Sequence, residues 1–257
     1  MMRVFLKTMK HYYLYIILLL LSLQSRAQNS QALYIAKYHY AVVTDTSKPG
    51  NVYREDMMLM IGKSSSLFKS YSSFQHDSLI MAQTTLNMAV FNNSRQYTDD
   101  QVLNIYSGVT GYASKKIGLR YYWEITMPRY DWKILPDTAT IAGFKCEKAV
   151  MFSQKTKRNY TAWFTSEIPI PAGPSYMNGL PGLIVRYEDA NKTIMMEMYA
   201  FTKVANADET VAFDRRAIKT TKADFEKALA AYKSDPTAFL NASGALNGTI
   251  TQPTPDK

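Results

Sequence analysis

The side chains of this sequence that could do chemistry are few. Histidine, the commonest general base and metal ligand, occurs at His11, His39 and His76. His39 lies within an alternating apolar stretch and His76 stands beside Asp77, with no second ligand at metal spacing. Neither H-E-x-x-H nor G-x-S-x-G is present, so zinc hydrolysis and Ser–His–Asp acyl transfer lack their residues. Gly62-Lys63-Ser64 resembles the end of a phosphate loop, but Met57 stands where the loop needs its first glycine. Ser66-Leu67-Phe68-Lys69 fits S-x-x-K without the S-D-N or K-T-G that accompany it in penicillin-recognising enzymes. Both read as strand ends and solvated loops. Cys146 is the one cysteine, so no intramolecular disulfide is available and the core must hold the fold.

Two residue classes carry more. Methionine occurs 14 times, with clusters Met57, Met58, Met60 and Met195, Met196, Met198. Soft thioethers select Cu(I), while flexible thioethers also fill irregular gaps against a sheet. The 19 tyrosines and 11 phenylalanines suit either a half-wet cavity meeting a ligand or ordinary cross-strand aromatic pairing.

The elements that must position these side chains are mostly strands. Tyr34, Ala36, Tyr38, Tyr40 and Val42 alternate along 31–44, ahead of the breaker Lys48-Pro49-Gly50-Asn51. Two further strands are expected at 52–62 and 66–71. Ile117, Leu119, Tyr121, Trp123 and Ile125 share one face of a strand at period two. Phe144, Cys146, Val150 and Phe152 are expected on a common face, and 158–165, 183–187 and 193–204 complete the set. Two helices are expected. Phe225, Ala228, Leu229 and Tyr232 lie at helical spacing behind Thr221 and Asp224, with Asp235-Pro236 as the stop. Leu79, Ala82, Leu86 and Ala89 suggest another over 77–90. From Pro236 to Lys257 turn formers dominate, predicting a flexible tail.

Gly179-Leu180-Pro181-Gly182-Leu183-Ile184 is the most distinctive segment. Pro181 fixes φ and Gly182 accepts positive φ, so a type II turn aiming Leu183 and Ile184 into a strand is expected. The hexapeptide closely resembles the signature of the GLPGLI family of secreted proteins of Gram-negative bacteria. The resemblance extends to Trp132-Lys133-Ile134, to Ile141–Ala149, to Thr161–Thr165 and to Ile168-Pro169-Ile170, across roughly 31–233. It implies no activity and no catalytic residue, because the family has none assigned. Ala142-Gly143-Phe144-Lys145-Cys146, and Trp163-Phe164 with Glu167 before Pro169, also resemble periplasmic lipoprotein carriers. That looser likeness implies a half-barrel around an apolar cavity and carries no function.

The N-terminus has Arg3, Lys7 and Lys10, then the apolar run Tyr12–Leu23, then Ser25 and Ala27. That is the order of a cleaved export signal, and the run is too short to span a bilayer. Removing 1–27 takes away four basic residues and no acid, reducing the formal charge from +9 to +5. Such a modest excess argues against nucleic-acid binding. A hydrophobic content of 47% with 20% charged residues and a mean hydropathy of −0.23 exclude a disordered chain or a multi-spanning membrane protein.

The expectations are therefore these. Residues 1–27 form a signal peptide, 28–235 one domain, and 236–257 a tail. The domain is mainly β, a curled antiparallel sheet or half-barrel with one or two covering helices. The protein is exported to the periplasm, the outer membrane or beyond. It acts without enzymatic chemistry, binding a lipid or other hydrophobic ligand or an outer-membrane protein, and has no nucleic-acid partner. No catalytic, cofactor or metal residues are assigned, and Gly179–Ile184 serves as a structural turn or recognition loop. Copper handling through the methionine clusters and an unrecognised hydrolase are the alternatives.

Overall fold

The structure, a computed structural model, describes residues 31–75, 98, 100–205, 209–214 and 216–243. The export signal expected at 1–27 and the helix expected at 77–90 lie outside the described residues. Twelve strands follow in order: β1 (Ala32–Val43), β2 (Val52–Gly62), β3 (Ser65–Ser70), β4 (Gln101–Ile105), β5 (Thr110–Ile117) and β6 (Leu119–Thr126). Then come β7 (Lys133–Ile141), β8 (Phe144–Ser153), β9 (Arg158–Thr165), β10 (Leu183–Asp189), β11 (Ile194–Lys203) and β12 (Ile218–Lys219). Two helices close the described chain, α1 (Lys222–Ser234) and α2 (Pro236–Ala242).

All twelve strands form one large, open, curled sheet, so the protein is mainly β with a few short helices. The order is β12-β6-β5-β4-β3-β2-β1-β11-β10-β9-β8-β7. Every pairing is antiparallel except β12 against β6. β1 joins the two meanders, pairing β2 on one side and β11 on the other. The first strand made is thus completed only by the penultimate one, a non-local closure.

β2 is buried on both faces, as its near-continuous apolar run Met57–Ile61 requires. Met57, Leu59 and Ile61 point to the main core with Tyr38, Phe164, Leu183, Tyr187 and Met198. We call that face inner. Met58 and Met60 point the other way, to a smaller core with Leu67 and Val211. A third cluster forms where Phe225 of α1 stacks on Trp123 at 4.8 Å. The Thr221 hydroxyl caps α1, accepting from the Asp224 amide at 3.1 Å.

Four expectations change. Gly182 does not have positive φ; the left-handed residue of the hexapeptide is Gly179, at φ +88°. Gly182 lies against the end of β9, and a Cβ there would sit 2.1 Å from the Thr165 carbonyl oxygen. It is a glycine because two backbones touch, not because a turn demands it. On β8 the buried residues are Cys146, Ala149 and Met151, while Phe152 is 50% exposed. The alternation changes phase opposite a register shift between Leu135 and Thr138 of β7, since a bulge raises local twist and re-aims side chains. The strand expected through Ile117–Ile125 is a hairpin, turned at Gly118 with φ +73°. Finally, Pro236–Ala242 is helical rather than tail. Asp235 caps it, accepting from the Ala238 amide at 2.9 Å, Pro236 takes the first turn where proline is favoured, and Phe239 packs edge-on against Tyr232.

Candidate functional site

The seventeen-residue stretch between Thr165 and Leu183, its first half broken by Pro169, Pro171, Gly173 and Pro174, folds back on the inner face. Ile168, Ala172 and Leu180 are buried in the main core. The Leu183 amide donates to the Ile168 carbonyl at 3.0 Å and the Ile184 amide to Ala172 at 2.9 Å. Tyr38, fully buried, donates its hydroxyl to the Ile184 carbonyl at 3.0 Å, and burial pushes its pKa far up. The half-barrel interior is therefore filled by this loop. The helix α1 lies elsewhere, over β5 and β6.

A hollow lies beside the β1–β2 hairpin, mostly on the other face. Alternation and register place His39 and Ala41 of β1, Val52, Arg54 and Asp56 of β2, and Met195 of β11 together on the outer side. With Ser72, and with Tyr40, Tyr53 and Glu55 of the opposite parity, they line an open depression of about 870 Å³. Ala41 makes the floor, because its register partners are Arg54 and Met195 and it fills little of the space between them. One wall is ordered by charge. His39 Nδ1 meets Asp56 Oδ1 at 2.8 Å, and the His39 ring stacks on Tyr199 at 4.1 Å. Further along this row Glu197, the partner of His39, takes Arg186 at 3.2 Å. Arg54 is exposed and makes no ion pair among the described residues.

Glu55 is the buried acid in the lining of this depression, 8% exposed. It accepts from Tyr53 at 2.6 Å, from the Ser70 hydroxyl, and from the Thr98 amide at 3.0 and 3.2 Å. Burial and then the Glu55 bond push Tyr53 up to about 12. Burial, Glu55 and Asp100 raise the neighbouring Tyr40. With three donors on its two oxygens, Glu55 acts as a clamp between β2, β3 and Thr98 rather than as a free general base. His39 hydrogen-bonds Asp56, and no serine bonds it among the described residues. The sequence carried a signal for this region that spacing rules missed: Arg54-Glu55-Asp56, three successive charges inside a strand.

The methionine clusters do not lie on one face. Met57 and Met198 are the cross-strand partners of Tyr38 on either side, so its ring lies between them in the inner core. Met58 and Met60 belong to the outer core and Met195 to the depression. Among the described residues no three of His, Cys, Asp and Glu cluster to hold a metal. Cys146 is buried and its thiol is raised by that burial, its Sγ donating to the Phe144 carbonyl at 3.3 Å. In the hexapeptide, Leu180, Gly182, Leu183 and Ile184 are buried, while Gly179 and Pro181 face solvent.

Residues 151–186, which include the hexapeptide, match a family described as a protein of unknown function (Porph_ging). No curated protein matches. Among solved structures, PNGF-II in two crystal forms, of space groups P21 and C2, resembles the chain with a TM-score of 0.52 at 12% identity. The match covers 76% of this chain and 32% of the other, so this chain spans about a third of that protein's length. That likeness is one of fold.

Proposed function

We propose that this chain is an exported cell-envelope protein of the GLPGLI type. It acts without chemistry of its own and binds a ligand with a hydrophobic body and a polar end. The observation that carries the reading is the outer-face depression of about 870 Å³, within the size range of ligand sites. Ala41, Val52 and Met195 give it apolar surface, and Arg54 and the His39–Asp56 pair give it charge. The packed inner face supports the outer side as the place of binding, and the saturated Glu55 supports binding over catalysis.

The test uses an apolar fluorescent probe displaced by fatty acid or by lipid extracted from the native envelope. Saturable binding that Ala41→Trp abolishes, with the melting temperature unchanged, is the expected result. Native mass spectrometry of protein purified from its own envelope should then show a bound lipid-sized mass that the Ala41→Trp variant lacks. Binding that survives Ala41→Trp would place the ligand elsewhere, and no binding of any probe would leave an outer-membrane protein as the partner of this face.

A further inference from the structure

A second, smaller hollow lies near the other end of the Pro-rich loop. Three segments far apart in sequence meet there: the β4–β5 turn at 106–109, the run 127–129 leaving β6, and Pro171 with Asn178-Gly179. They are fastened to one another. The Met127 amide donates to the Val109 carbonyl at 2.6 Å. The Asn178 side-chain amide donates to the Pro128 and Tyr176 carbonyls at 3.2 and 2.8 Å. Trp132 donates its indole N–H to the Asn178 carbonyl at 2.9 Å. Two left-handed residues, Ser175 at φ +57° and Gly179 at φ +88°, bracket this anchor. A chain that holds two such conformations four residues apart, tied down by a ring of hydrogen bonds, is fixed in place at this rim.

The hollow measures about 330 Å³, the lower end of the range for small-ligand sites. Ile105, Val109, Met127, Pro128 and Pro171 give it apolar walls, and Val109 is 39% exposed. Arg129 is the one cation in the lining, and it makes no ion pair among the described residues. A guanidinium presents two parallel N–H donors that match a planar carboxylate. A single positive charge balances a monoanion, whereas a phosphate dianion would keep half its charge uncompensated. We propose that this hollow binds a carboxylate-bearing ligand with a compact apolar body, Arg129 pairing with the carboxylate. The ligand's source is a free carboxylic acid or the C-terminus of a peptide with an apolar last residue.

Isothermal titration of the purified protein with 4-phenylbutanoate, and with its uncharged amide, tests this. Saturable one-to-one binding of the carboxylate is expected, with the amide and the Arg129→Gln variant each at least tenfold weaker. Arg129→Lys should recover part of the loss, and Val109→Trp should block the site. A short peptide ending in Leu, compared with its C-terminal amide, then separates the two sources. Equal affinity for carboxylate and amide, unchanged binding by Arg129→Gln, or no binding of either carboxylate probe at millimolar concentration overturns the proposal. Ala41→Trp, which blocks the outer-face depression, leaves this binding intact, so the two readings fail independently.

Discussion

Replacing Gly182 by alanine tests the claim that two backbones touch at the start of β10. The added Cβ would lie 2.1 Å from the Thr165 carbonyl oxygen, 2.7 Å from its carbon and 3.2 Å from Ser166 Cα. All three are backbone atoms, and Thr165 is the register partner of Leu183, so no side chain can swing away to make room. Overpacking of a core typically costs about 1–3 kcal/mol, and a clash with a paired strand belongs at the top, about 3 kcal/mol. For a chain of this length each kcal/mol shifts the melting temperature by about 2–4 °C, so a fall of roughly 6–12 °C is expected by circular dichroism. Gly179→Ala is the control. Its Cβ would meet only Trp132, at 3.8 Å, but the position is left-handed. It should lose about 1 kcal/mol, the lower end of the left-handed penalty, and about 2–4 °C. If Gly179→Ala were the more damaging of the two, the close-approach argument would be wrong and the turn argument right.

Three further outcomes follow from the packing. Asp189 is buried and accepts from Arg158 at 2.8 Å, from the Thr193 amide and hydroxyl, each at 2.6 Å, and from the Ile194 amide at 3.1 Å. Burial raises its pKa, but the Thr193, Ile194 and Arg158 bonds outweigh this and hold the carboxyl below its ordinary value. Its stabilisation is therefore complete above the unfolded value near pH ~4 and lost as pH falls through the folded one. Asp189→Ala should cost about 1–3 kcal/mol at neutral pH, the cost of leaving buried donors without their acceptor, and flatten the acid limb of the stability curve measured by urea denaturation. Tyr38→Phe removes the hydroxyl bond to Ile184 and should cost about 1 kcal/mol, read as a lower urea midpoint. Phe225→Ala empties the contact with Trp123 and should cost about 3–5 kcal/mol, with a change in near-ultraviolet circular dichroism; an unchanged signal would mean that α1 does not dock on β6.

Period-two patterning was enough to place β1 and β9 almost to the residue, because alternation reports a sheet face whatever the partner strand. Thr221, Asp224 and Asp235-Pro236 placed α1 equally well, since capping is a property of a few adjacent residues. The expected export signal and the family resemblance rest on contiguous strings and remain expectations from the sequence. What covers each face was not legible. Nothing local says that β1 closes onto β11, that the Pro-rich loop rather than a helix fills the inner face, or that the roomy side of the sheet is the outer one. These depend on contacts between residues as far apart as Tyr38 and Ile184. Gly182 shows the difference at one atom. The sequence determined that a glycine stands between Pro181 and a strand. Only the approach of Thr165, seventeen residues earlier, decided why it must be one, because a backbone contact leaves no periodic trace in the chain that makes it.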